Sequence, residues 1–92
     1  MDLHLSVKGE YFEQLKAGTK PFEYRRYTPY WKKRIEGREY ENIIITHGYP
    51  KRDDLSKRLT FPWRGYEMQT ITHPHFDNVP QDVYAIIIKE AK

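Results

Sequence analysis

Cysteine is absent from the 92 residues, which excludes a disulfide framework and a thiolate metal site. Long apolar runs are missing too. No stretch approaches the roughly 20 apolar residues that cross a bilayer as a helix. The opening residues, Met1-Asp2-Leu3-His4-Leu5-Ser6, lack the basic and apolar segments of a secretion signal. The expectation is a cytoplasmic protein with no membrane contact. There is no internal repeat, linker or low-complexity tract. A chain of this length has room for one domain, here residues 1–92, with a modest core.

What the chain holds in quantity is aromatic rings and charge. Eight tyrosines, four phenylalanines and two tryptophans supply much of the core, because each ring buries a large area. Charged residues make up 32% and the net charge is +3. That mildly basic balance permits nucleic-acid binding without demanding it. The distribution is more informative. Lys20, Arg25, Arg26, Lys32, Lys33, Arg34 and Arg38 crowd one segment, and Lys51, Arg52, Lys57, Arg58 and Arg64 form a second. The acidic residues gather at Glu10 and Glu13, at Asp53 and Asp54, and after residue 76, so the middle of the chain is basic.

Leu3, Leu5 and Val7 alternate with His4, Ser6 and Lys8, the period-two pattern of a strand with one buried face. The spacing then predicts a helix over 10–17. Phe12 and Leu15 share its inner face, and Gly18 stands at its C′ position. A second strand is expected over 20–26, with Pro21 marking a strand start or an edge. Thr28-Pro29 reads as an N-cap followed by proline at the first helical position. It opens a short helix over 29–36, packed through Trp31 and Ile35 and closed by Gly37. Ile43-Ile44-Ile45 argue for a central strand covered on both faces. His47-Gly48-Tyr49-Pro50 is a turn. Leu59, Phe61 and Trp63 alternate as a fourth strand, and Tyr66, Met68 and Thr70 as a fifth, joined at Arg64-Gly65. A loop over 72–80 precedes a last strand over 83–89, whose Ile86-Ile87-Ile88 run is again expected to be centrally buried. Five or six mixed strands with two short helices make an α+β fold. Closing them into a small β-barrel would remove exposed edges.

The stretch Gly18-Thr19-Lys20-Pro21-Phe22-Glu23-Tyr24-Arg25 carries the chemistry. Glu23 and Arg25 share one face of an extended strand, and Phe22 and Tyr24 share the other. The expectation is that Phe22 and Tyr24 pack into the core while Glu23 and Arg25 line a surface or cleft. Lys20 reaches the same cleft from the strand start. A lysine, a carboxylate and a guanidinium together suit a polar, anionic or nucleotide-like ligand. The plainer alternative is an exposed strand with an ordinary ion pair. If Glu23 pairs tightly with Lys20, the lysine serves as a cationic clamp rather than as a base.

The same residues read G-x-K-x-x-E-x-R, preceded by Tyr11-Phe12-x-x-Leu15-x-x-Gly18. That pattern resembles the signature of the ASCH domain, a member of the PUA-like superfamily, and the strand Leu3-x-Leu5-x-Val7 fits with it. The resemblance is specific over 3–25 and looser beyond. It implies a small PUA-like barrel with a few helices and an association with RNA; no cofactor is expected. Some ASCH-like proteins of similar length hydrolyse the acetyl amide of N4-acetylcytidine. Lys20 matches their catalytic lysine; three residues on they carry a threonine, where this chain has Glu23. Glu67 is the candidate for their later glutamate. Other members are ribonucleases, for which Lys20 with His73 or His75 would supply the acid–base pair.

Three further groups stand out. Tyr24, Tyr27, Tyr30, Trp31 and Tyr40 interleave with cations, as base-stacking rings do, although most of these rings also suit packing. Trp63 beside Arg64 forms either a stacking lip or a core ring with a solvated arginine. His73 and His75 are two apart, with His47 or Asp77 as the nearest third ligand, but the spacing is no recognisable zinc pattern and no metal is expected. The reading is a domain that binds single-stranded RNA or a nucleotide-like ligand through Lys20, Glu23 and Arg25, with Arg64 and His73 as further contacts. The alternative is a hydrolase acting on RNA or a modified nucleoside through Lys20 and Glu23. A third reading is a basic face that meets an acidic protein.

Overall fold

In the computed structural model, which describes residues 1–74 and 77–89, β1 (Leu3–Val7) shows the expected alternation. Leu3, Leu5 and Val7 are buried, while His4 is exposed and Ser6 half-buried. α1 (Gly9–Ala17) buries Phe12 and Leu15. It stops at Gly18, whose φ of 76° is left-handed and costs glycine little. Thr19 Oγ1 donates to the Gln14 carbonyl, and β2 (Phe22–Arg26) follows after Pro21. Thr28 caps α2 (Pro29–Ile35), its hydroxyl accepting the Trp31 backbone N–H at 3.4 Å. β3 (Asn42–His47), β4 (Arg58–Pro62), β5 (Tyr66–Ile71) and β6 (Gln81–Ile87) complete the described strands.

The six strands form two three-stranded sheets. One has the order β1-β3-β4, with β1 and β3 parallel and β3 and β4 antiparallel. The other is antiparallel throughout, in the order β2-β6-β5. No ladder joins the two sheets among the described residues. The core lies between them. Leu5, Ile43 and Ile45 from the first sheet meet Tyr84 and Ile86 from β6, with Phe12, Leu15 and Ile35 contributed by the helices. Burying each such side chain contributes roughly 1.5–3 kcal/mol.

Two expectations are corrected. Ile43 and Ile45 are fully buried, but Ile44 is only half-buried, so β3 is covered on one face. The central burial also expected of the last strand is found in β6, where Val83, Tyr84, Ala85 and Ile86 are all inaccessible, although Ile87 is half-buried. β2 is turned the other way round from the expected packing. Glu23 stands opposite Ile86 and Arg25 opposite Tyr84. Directly opposed residues share a face, so Glu23 and Arg25 take the core side. Phe22 and Tyr24 lie on the outer side with their rings 6.1 Å apart. β4 ends before Trp63, which packs against the core and edge-on to Tyr40 at 5.2 Å. His75 and Phe76 lie outside the described residues.

Candidate functional site

Glu23 is 3% exposed and is the single buried charged or polar residue among those described. A carboxylate so placed is costly unless it is paired. Two cations offset it. Lys20, in the connection after α1, turns its Nζ onto Oε1. Arg25 Nη1 donates to Oε2 at 2.7 Å. The pairing of Lys20 with Glu23 weighed from the sequence is therefore formed. The Lys20 ammonium also lies 4.6 Å from the centre of the Tyr11 ring and 5.7 Å from that of Tyr24. Both phenols are held above their ordinary pKa of 10, first by burial and then by nearby carboxylates: Glu10 and Glu23 for Tyr11, Glu67 and Glu23 for Tyr24. Near neutral pH the rings around Lys20 are therefore uncharged.

Arg25 does more than neutralise. Nη1 also donates to the Tyr24 carbonyl at 2.9 Å, and Nη2 to the Ser6 carbonyl at 3.1 Å. Ser6 is on β1, an edge of one sheet; Arg25 is on β2, an edge of the other. Arg25 thus ties the two edges together and keeps its guanidinium 5.2 Å from the centre of the Trp31 ring. Much of its donor capacity goes into the frame of the site.

A cleft of about 1070 Å³ runs along this seam. Small-molecule sites occupy roughly 300–1,000 Å³, so the cleft has the volume of a small-molecule site. Lys20, Glu23 and Arg25 form part of its wall, joined by Lys8, Arg26 and Arg58. Its cations therefore outnumber its carboxylate. Across the first sheet, Ser6, Thr46 and Arg58 stand in register on the side away from the core. The Ser6 and Thr46 hydroxyls both donate to the Gly48 carbonyl, at 3.0 and 2.8 Å. Arg58 Nη2 lies 3.5 Å from the Pro50 carbonyl and 3.4 Å from that of Lys51, and its Nε is buried without a hydrogen-bond partner.

The structure brings Lys20, Glu23, Arg25 and His73 to this cleft. Arg64 is elsewhere: it is exposed in the β4–β5 connection and contributes nothing to the cleft wall. Trp63 beside it is a packing ring, so the stacking lip is not formed. Of the interleaved aromatics, Tyr24, Tyr30 and Trp31 border the cleft. Tyr27 packs against Tyr84 at 5.4 Å, and the Tyr40 hydroxyl bonds the Arg34 carbonyl. His47 is exposed and stacks on Phe12 at 5.7 Å, outside the cleft. No three histidines or carboxylates gather as a metal site among the described residues. Sequence reasoning missed Tyr11, Tyr49 and Arg58. For Arg58 the signal lay in the register of three strands, which local spacing does not reveal.

Compared with known proteins, the chain matches no family model, no curated protein and no solved structure.

Proposed function

We propose that this chain is an ASCH-like, PUA-like domain whose cleft binds RNA or a nucleotide-sized anionic ligand. One observation carries the reading: Lys20, Glu23 and Arg25 meet inside a roomy cleft whose wall also holds Lys8, Arg58 and the rings of Tyr11, Tyr24 and Trp31. Cations take phosphate oxygens and set the affinity and its salt dependence. Neutral rings beside them accept the faces of bases. The G-x-K-x-x-E-x-R pattern supports the family. Two sheets whose edges are laced by Arg25 are compatible with a barrel opened at the cleft. Lys20 is engaged with Glu23, which favours the clamp over a catalytic base.

The test is a titration of labelled single-stranded RNA at two salt concentrations, with the RNA run on a gel afterwards. The expected result is intact RNA whose binding falls with salt and falls again in Lys20→Met. With about three phosphate contacts, a fourfold rise in salt weakens binding about 20-fold. Duplex DNA and heparin as competitors separate RNA recognition from a general taste for polyanions, such as an acidic protein would satisfy. RNA cleaved or altered by the wild type but not by Lys20→Met would replace the binding reading with the hydrolase. Absence of binding to the RNA and to a free nucleotide would overturn it.

A further inference from the structure

Tyr49 is 96% exposed, yet the turn that carries it is held from several sides. The Gly48 carbonyl accepts the Ser6 and Thr46 hydroxyls. The Gly48 N–H donates to the Val7 carbonyl at 3.2 Å, and Gly48 takes a left-handed φ of 66°. Pro50 has a fixed φ and restricts Tyr49 before it, and its carbonyl faces the Arg58 guanidinium. An aromatic ring that packs on nothing, on a turn fastened to a sheet, is a surface prepared in advance of a ligand.

Tyr30 is a counterpart on α2. It is 56% exposed and fixed in orientation. The Arg34 guanidinium lies 3.5 Å from its ring centre, while Arg34 also donates to the Tyr30 carbonyl at 3.1 Å. Trp31 meets it edge-on at 4.9 Å. Both tyrosines border the cleft, Tyr30 from α2 and Tyr49 from the β3–β4 connection. Exposed basic residues follow each in the sequence: Lys32, Lys33 and Arg38 after Tyr30, and Lys51 and Arg52 after Tyr49. Exposed rings with basic neighbours therefore stand at the cleft border on two separate elements.

Resting on the binding reading above, we infer that the ligand is a single-stranded polynucleotide that crosses the cleft, with bases stacked on Tyr30 and Tyr49, rather than a free nucleotide. A mononucleotide offers a single base, whereas the cleft border carries an exposed ring on each of two elements. A duplex keeps its bases stacked on one another and offers no face to either ring.

The test compares an oligouridylate with uridine monophosphate. Wild-type protein should bind the oligomer more tightly than the monophosphate. Tyr30→Ser and Tyr49→Ser should each reduce the ratio of the two affinities by about 5- to 150-fold, the range for loss of one stacked base. Tyr30→Phe and Tyr49→Phe should retain it, because stacking needs the ring and not the hydroxyl. Both positions are exposed, and unchanged circular dichroism checks that the variants fold. A ratio unchanged in either serine variant overturns the two-platform inference. Wild-type protein that binds the monophosphate as tightly as the oligomer overturns it too, while the nucleotide-binding reading survives. Binding of neither probe removes both.

Discussion

Removing the Glu23 carboxylate should destabilise the fold more than removing either cation that faces it. In Glu23→Ala, Lys20 and Arg25 are left facing each other, with side chains only 15% and 16% exposed. Breaking a buried pair by deleting one partner typically costs about 3–5 kcal/mol. Both cations border an open cleft that water enters, so about 2–4 kcal/mol is the expected loss. Lys20→Met leaves Glu23 with the Arg25 bond at 2.7 Å, and about 1–2 kcal/mol is expected. Arg25→Met falls between, because it also releases the Ser6 carbonyl and with it the seam between the sheets. A domain of this size is stable by about 5–14 kcal/mol in total. A 3 kcal/mol loss would lower Tm by roughly 12–24 °C. Urea unfolding followed by tryptophan fluorescence reads the order directly, with the midpoint moving and the slope constant. Glu23→Ala unfolding at the wild-type midpoint, or Lys20→Met proving the worse of the two, would refute the claim that the site is organised around a buried carboxylate.

Other outcomes are equally open to measurement. Burial and the bond to Glu36 at 2.5 Å raise the Tyr84 phenol well above its ordinary value of 10. The unfolded chain therefore gives up this proton first. The stabilisation is complete below about pH 10 and is lost as pH climbs from there toward the folded pKa. Denaturation midpoints should fall more steeply above pH 10 in the wild type than in Tyr84→Phe, and parallel slopes would contradict this. Thr28→Ala should cost about 1 kcal/mol by removing the cap of α2, read as a shift in the urea midpoint; no shift would mean that packing of Ile35 alone holds the helix. Gly18→Ala should cost about 1–2 kcal/mol, because φ is 76° there and an alanine side chain is strained in that region. The added Cβ would meet nothing within 4 Å, so a larger loss would point to a clash that the fold does not contain.

Much of the fold could be read from short-range pattern. The alternation of β1, the inner face of α1, the glycine that ends it and the Thr28 cap are local features, and local chemistry decides them. The facing of β2 is a different kind of fact. Alternation says that Glu23 and Arg25 share a face; it does not say which face is inside. The usual rule sends charge outward. Here it fails because Lys20 and Arg25 neutralise the carboxylate where the core opens into a cleft. Ile44 shows the converse, an apolar residue inside a β-branched run whose outer side nothing fully covers. The site was legible as far as one strand carried it: Lys20, Glu23 and Arg25 do meet. Tyr49 and Arg58 reach the cleft only because β1, β3 and β4 align Ser6, Thr46 and Arg58 in one row. Arg64 was misplaced for the same reason, since position in the basic segment says nothing about which end of a hairpin faces the seam.

The most direct test of the proposed cleft is amide chemical-shift mapping on isotope-labelled protein as single-stranded RNA is added. The account predicts that shifts concentrate at Ser6, Lys20, Glu23, Arg25, Trp31 and Thr46 and spare Arg64 and Met68. Shifts centred on Arg64 and the β4–β5 connection, or none at saturating RNA, would contradict it.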